Sequence, residues 1–282
     1  MSHRGKSALI TGGASGLGKH LATTLHAQGA ILLIADIDDD RGTAFVDSLN
    51  KERPGSAFFK KADVTVWEEQ VDLFKVAVKS LKRIDYVVAN AGILESRFLA
   101  HTSPSAVEYV KPDLTTLNIN LIGVIYTSHI AAQTFRTQEI VQGFRGQIVV
   151  TASVASFTAI PNMPLYSTSK HALVGFVRAF GAQLEPEGIT VNAVAPNITR
   201  SNLTVQEIFD AVEAKGRLTP NEAVTAAFTS FLGNRTLNGQ IKEVSMDKTY
   251  QRPLPEPLNK AVVDNIAELA EVHRVAYLPP KA

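Results

Sequence analysis

At 282 residues the chain is too long for a mini-domain and short for two independent catalytic domains, and a fold of this size buries roughly 75% of its unfolded surface without covalent staples. It has no Cys, which excludes disulfide frameworks, thiolate-zinc sites, iron–sulfur clusters and a cysteine nucleophile. Lys plus Arg number 28 against 27 Asp plus Glu, a net charge of +1 with the signs interleaved, so no nucleic-acid partner is expected, and the lack of a ~20-residue apolar run or signal-like leader points to a cytoplasmic protein with no membrane partner.

Short aliphatic runs alternate with longer amphipathic ones. The candidate strands are Ser7 to Thr11, Ala30 to Asp36, Ala57 to Asp63, Tyr86 to Asn90, Gly146 to Thr151, Thr190 to Ala195 and, weakly, Ile241 to Val244. Most are apolar at consecutive positions, as in strands covered on both faces. Helix-length patterns fall near 16–28, 40–51, 67–81, 113–136, 164–185 and 219–233. This β-α order predicts an α/β fold, a Rossmann-type doubly wound parallel sheet of about seven strands in one domain, residues 1–250. The prolines Pro253, Pro255 and Pro257 then break regular structure ahead of an extension, 251–282. Its last helical pattern, Leu258 to about Arg274, carries Leu258, Val262, Ile266, Leu269 and Val272 along one face, a stripe expected to cover the substrate cleft, a neighbouring subunit or only the outer surface.

The first strand runs into Thr11-Gly12-Gly13-Ala14-Ser15-Gly16-Leu17-Gly18 and then a helix. Such a turn lets backbone N–H groups and the positive helix end meet a pyrophosphate, which marks Gly12, Ser15, Gly16, Leu17 and Gly18 as cofactor residues. Asp36 ends the second strand, eighteen residues past Gly18. A carboxylate there accepts from ribose hydroxyls and repels a 2′-phosphate, so NAD is the expected cofactor. Asp38, Asp39 and Asp40 are expected to cap the next helix. Tyr166 and Lys170 share one helix face at i and i+4, where an ammonium favours the ionised phenol. Ser153, thirteen residues before Tyr166, follows a strand end, where a hydroxyl can hydrogen-bond a reacting carbonyl.

Thr11-Gly-x3-Gly-x-Gly18, Asn90-Ala-Gly92, Asn120 in Asn-Ile-Asn-Leu-Ile-Gly, Ser153, Tyr166-x3-Lys170 and Val191-Asn-Ala-Val-Ala-Pro196 together resemble the short-chain dehydrogenase/reductase family over residues 5 to about 245. Within it the chain looks most like the NAD-dependent 15-hydroxyprostaglandin dehydrogenase-like branch and dehydrogenases of fungal secondary metabolism. The resemblance implies Tyr166 as proton donor and acceptor and Lys170 as the group that lowers its pKa and holds the nicotinamide ribose. It implies Ser153 as the substrate-orienting hydroxyl and Asn120 as holder of a relay water. Asn90, Ala91 and Gly92 would line the adenosine side and Asp63 and Val64 the adenine; for Asn90 and Asn120 a backbone-tying role is the alternative. Pro196 and Asn197 would pack against the nicotinamide, Asn197 standing where the family usually has Gly, and Ser201 or else Thr199 would supply a hydroxyl to the carboxamide. Val244-Ser-Met-Asp also replaces a frequent Gly-Gly pair.

These readings describe an NAD(H)-dependent oxidoreductase for a secondary alcohol or its ketone. Ile93, Leu94, Phe157, Ile160, Met163, Leu165, Ile198, Leu203 and Phe209 imply a small to mid-sized apolar substrate of terpenoid, steroid-like or polyketide type. A cofactor-bound isomerase or cyclase and a non-enzymatic NAD-binding protein are the alternatives. The seven His form no paired-ligand pattern, so no metal is expected. Apolar positions on 113–136 and 164–185 predict a homodimer or homotetramer.

Overall fold

The computed structural model describes residues 2–95, 109–141, 143–203 and 205–276. Residues 253–282 separate from 1–252 as a second unit. Seven strands of the first unit run parallel: β1 (Ser7–Thr11), β2 (Ile31–Asp36), β3 (Ala57–Lys61), β4 (Tyr86–Ala89), β5 (Gly146–Thr151), β6 (Ile189–Pro196) and β7 (Ile241–Ser245). An eighth, β8 (Lys248–Arg252), lies antiparallel to β7, giving the order β3-β2-β1-β4-β5-β6-β7-β8. This edge strand is missing from the sequence reading because Lys248-Thr-Tyr-Gln-Arg252 is largely exposed and polar. A tight β7–β8 connection, with Met246 at φ +52°, brings it back.

Alternate residues of the inner strands enter opposite layers, which explains their unbroken apolar character. Leu9, Leu33, Val87, Ile148 and Val191 pack with α3 (Trp67–Leu81), α5 (Val124–Arg136) and α6 (Pro164–Leu184). Ile10, Ile34, Val88, Val149 and Val194 pack with α1 (Gly16–Ala27), α2 (Asp39–Glu52) and α8 (Asn221–Phe231). Strand order reverses between β1 and β4, and the crevice at their carboxyl ends is where ligands bind in such sheets.

Two helical features bear on that crevice. The predicted 113–136 helix is three pieces: α4 (Thr115–Leu117), a π-helical turn Asn118–Gly123, and α5. The buried Gln70 amide donates to the carbonyls of Val64 at 2.6 Å and Gly123 at 2.9 Å and accepts from the Thr127 hydroxyl at 2.7 Å, satisfying backbone that the wider turn leaves without a regular partner. A short helix, α7 (Gln206–Glu213), buries Phe209; its eight residues are too few for a periodicity signal. In the second unit, α9 (Lys260–Ala276) leaves Val263, Ile266, Leu269 and Val272 exposed.

Candidate active site

A cleft of 630 Å³ opens along the carboxyl ends of β1, β2, β4, β5 and β6. At one end stands the glycine turn. Gly12 has φ +61°, and a Cβ there would lie 2.7 Å from the Ala91 Cα. A Cβ on Gly18 would collide with the Gly12 carbonyl oxygen, so the turn keeps its shape only without side chains. Ser15 occupies the N-cap of α1 without a side-chain hydrogen bond. The first-turn N–H groups of Gly16, Leu17 and Gly18 thus stay open to an anion at the positive helix end.

Asp36 bends toward this turn. One carboxylate oxygen accepts from the Ala14 N–H at 3.0 Å and the other from the Asp38 N–H at 3.1 Å, leaving acceptor capacity on both. Asp38 caps α2 by accepting from the Arg41 N–H at 3.0 Å. The Arg41 guanidinium, which sequence reasoning missed, lines the same end of the cleft and pairs with Asp38 at 3.2 Å. Asp63 accepts from the Thr65 N–H and hydroxyl at 2.8 and 2.7 Å, an Asx turn that sets it beside Val64 at the cleft wall.

Asn90 ties the turn to the sheet. Its amide donates to the carbonyls of Thr11 and Gly12 at 3.1 and 3.0 Å and accepts from the Thr151 hydroxyl at 3.0 Å. The backbone-tying alternative describes these bonds. Asn120 also serves backbone, exchanging two 2.8 Å hydrogen bonds with the N–H and carbonyl of Ile93. It is fully buried behind the cleft rather than on its wall, where its neighbour Ile119 stands instead.

Ser153, Tyr166 and Lys170 meet on the β5–β6 side. Ser153 is fixed as β5 ends in a 3-10 turn (Val154–Ser156): its hydroxyl accepts from the Ala155 N–H at 3.1 Å, and the Ser156 hydroxyl accepts from its own N–H at 3.3 Å. The Lys170 Nζ donates to the Thr151 carbonyl at 2.8 Å and sits 5.8 Å from the Tyr166 ring centre. Burial pushes the Lys170 pKa down to about 8. Burial raises the Tyr166 pKa, and the neighbouring Ser153 hydroxyl opposes that rise. The protein alone therefore holds a neutral phenol beside an ammonium that is itself short of solvation.

Of the predicted site residues, all but Gly18 and Asn120 line the cleft, and Gly18 serves it from beneath Gly12. Pro196 ends β6. The Asn197 amide spans the floor, donating to the Ser245 hydroxyl at 3.1 Å and accepting from the Ile198 N–H at 2.8 Å; the backbone there is not left-handed. Thr199 gives its hydroxyl to Asn221. Ser201 accepts from the Leu203 N–H at 3.3 Å and keeps its own O–H to donate. Ile93, Leu94, Ile160, Met163, Ile198, Leu203 and Phe209 line the cleft as predicted, whereas Phe157 and Leu165 do not. Ile208 and Asn202 are additions. Residues 96–98, which the sequence also places near the substrate after Ile93 and Leu94, lie outside the described residues. Among the described residues no group of three or more His, Asp or Glu is placed to hold a metal ion, and no helix is long and apolar enough to cross a membrane.

The family described as short chain dehydrogenase matches residues 6–210. The chain is 32% identical over 268 residues to short-chain dehydrogenase/reductase ascJ of Acremonium egyptiacum, covering 93% of this chain and 86% of that protein. It is also 32% identical over 214 residues to short-chain dehydrogenase/reductase prx4 of Penicillium roqueforti, covering 75% of this chain and 60% of that longer one. The crystal structure of an NAD+-bound xylitol dehydrogenase, 21% identical, superposes with a TM-score of 0.74 over 87% of this chain and 99% of that one, a likeness of fold. With the glycine turn, the Ser, Tyr and Lys at one cleft wall and the family match over residues 6–210, this chain belongs to the short-chain dehydrogenase family.

Proposed function

We propose that the chain is an NAD(H)-dependent oxidoreductase that interconverts a secondary alcohol and a ketone on a small to mid-sized apolar substrate, with Tyr166 as acid and base. The observation that carries this reading is the single cleft in which Ser153, Tyr166 and Lys170 face the glycine turn and Asp36. The open N–H groups of α1 suit a pyrophosphate, and Asp36 suits ribose hydroxyls. Arg41 is engaged by Asp38, which leaves the Asp36 carboxylate to repel a 2′-phosphate and supports NAD over NADP. A nicotinamide cofactor, once bound, supplies or accepts the hydride.

The protein's part is to hold the substrate oxygen and move its proton. Ser153 donates to that oxygen from a backbone-locked position, and Tyr166 passes the proton to or from it. Lys170, 4% exposed, places a positive charge near the phenol and stabilises its ionised form when the proton leaves. The surrounding apolar wall excludes water, which would compete for the proton and weaken these interactions. Asn197, Thr199, Ser201 and Asn202 are the polar side chains among the substrate-side residues Asn197–Phe209 that line the cleft, and no charged residue of that segment lines it. An uncharged terpenoid, steroid-like or polyketide alcohol fits such a wall.

The test is absorbance of the reduced nicotinamide during turnover of a panel of cyclic secondary alcohols and ketones. NADH-linked reduction of apolar ketones at least about tenfold more efficient than NADPH-linked reduction is expected. No turnover despite tight NADH binding would overturn the reading. A homodimer or homotetramer in the cytoplasm completes the proposal. Supporting it, α6 presents Gly175 and Ala179 exposed beside the stacked rings of Phe176 and Phe180, 5.1 Å apart, a smooth surface for a second copy. Light scattering at micromolar concentration checks it, a monomer mass being the contrary result.

A further inference from the structure

The helix that carries Tyr166 and Lys170 begins without a cap of its own. Met163 stands at the N-cap of α6 with no side-chain hydrogen bond, and Pro164 follows at the first helical position. Pro has no N–H, and the Ser167 N–H already bonds the Met163 carbonyl at 3.0 Å. The Tyr166 N–H is one of the remaining first-turn donors. It is met by a side chain from far along the chain: Glu95 Oε2 accepts from it at 2.9 Å.

Glu95 is 8% exposed, and its Oε1 has no hydrogen-bond partner among the described residues. Burying a carboxylate with one unpaired oxygen costs stability, offset in part by the positive end of a 21-residue helix. A residue kept at that cost, against the backbone of the proton-transferring residue, points to geometry rather than to stability. Its neighbours on the chain agree. Asn90 bonds the glycine turn, Ile93 bonds the Asn120 amide through both backbone groups, and Glu95 bonds Tyr166. One six-residue stretch thereby sets the distances among the cofactor turn, Asn120 and the phenol.

We propose that Glu95 is a positioning residue for the proton-transfer step, fixing the height of Tyr166 above the cleft by capping the first turn of its helix from the β4 side. The acceptor oxygen, not the charge, does this. The inference rests on the function proposed above, and its test separates the two. Amide hydrogen exchange is measured on Glu95→Ala, Glu95→Asp and Glu95→Gln, with kcat on the panel ketone turned over fastest and NADH affinity by fluorescence titration; Tyr166→Phe is run in parallel.

In Glu95→Ala, the Tyr166 amide is expected to exchange at least about tenfold faster, with the centre of α6 unchanged. Its kcat is expected to fall about ten- to a hundredfold, since sub-ångström misplacement of a reacting group has that scale, while the NADH Kd stays within twofold. Glu95→Gln keeps an acceptor of the same reach and should restore kcat to within about threefold. If the Ala variant does not fold, Glu95→Asp serves: it keeps the charge, shortens the reach and should lose kcat nearly as much. Full kcat in a folded Ala or Asp variant, unchanged exchange at Tyr166, or a Gln variant as impaired as Ala would overturn the inference. Activity retained in Tyr166→Phe would instead sink the proposed function and leave the exchange result standing as a fact about the cap.

Discussion

The two ends of the cleft are built by different means. At the cofactor end, shape comes from backbone: Gly12 and Gly18 leave room that no side chain could, and Asn90 and Asp36 spend their hydrogen bonds on the turn itself. At the other end, shape comes from apolar side chains, Leu203, Ile208 and Phe209, on a segment and short helix tied to each other by contacts such as the exposed pairing of Arg200 with Glu213 at 2.6 Å. Backbone geometry tolerates no substitution, whereas an apolar wall can be repacked. The glycine-turn end is therefore rigid by construction, and the apolar end is open to change.

The largest effect is expected where the two ends meet. Tyr166→Phe removes the proposed proton donor without touching the glycine turn, so kcat should drop about 10²- to 10⁴-fold with the NADH Kd within twofold; a residual rate above roughly 10% would contradict the assignment. Lys170→Met should abolish turnover on a similar scale yet raise the melting temperature, because a fully buried ammonium is removed. With its pKa at about 8 in the fold against 10.5 free, the folded chain releases this proton where the unfolded chain still holds it. Stability of the unmodified protein should therefore rise with pH between about 8 and 10.5, by at most about 3 kcal/mol. Denaturant titrations across that window should show the rise, and the Met variant should lack it.

Breaking the backbone end comes next. Gly12→Ala puts a Cβ against the Ala91 backbone at a positive φ and should weaken NADH binding at least about tenfold and cost on the order of 1–3 kcal/mol, read by fluorescence titration and melting. Relaxing the wall should be gentler: Leu203→Ala is expected to raise the KM for an apolar ketone several-fold while leaving NADH affinity alone, and an equal loss of both would erase the contrast. The smallest effect belongs to the clasp. Arg200→Ala removes an exposed ion pair of at most about 1 kcal/mol, so substrate KM should change no more than about threefold, with 1 M salt producing a similar shift in the unmodified protein.

Much of the cofactor end is legible in the sequence because its determinants are local. The Gly-x3-Gly-x-Gly spacing, Asp36 at a strand end and Tyr166-x3-Lys170 each describe one turn, one strand or one helix face. Ser201 and Thr199, by contrast, are separable only in the fold, where the Thr199 hydroxyl is committed to Asn221, twenty-two residues on. Phe157 and Leu165 carry the same apolar label as Ile160 and Met163, yet only the latter two reach the cleft; Phe157 packs against the core instead and Leu165 is buried in the first turn of α6, directions that tertiary packing sets. Arg41 has no sequence signal as a cleft residue, since its place follows from how α2 lies over β2.

The sequence by itself determined the parallel sheet, the order of its elements and the candidate acid and base, because periodicity, glycine spacing and i,i+4 geometry are properties of neighbouring residues. The tertiary structure alone decided the antiparallel β8, the π-helical turn that buries Asn120 and the contact of Glu95 with the first turn of α6. It also decided the charge balance at the site, where burial raises the Tyr166 pKa and draws Lys170 down to about 8. Desolvation and long-range hydrogen bonds belong to the volume around a residue, and that volume is assembled from segments as far apart in the chain as Glu95 and Tyr166.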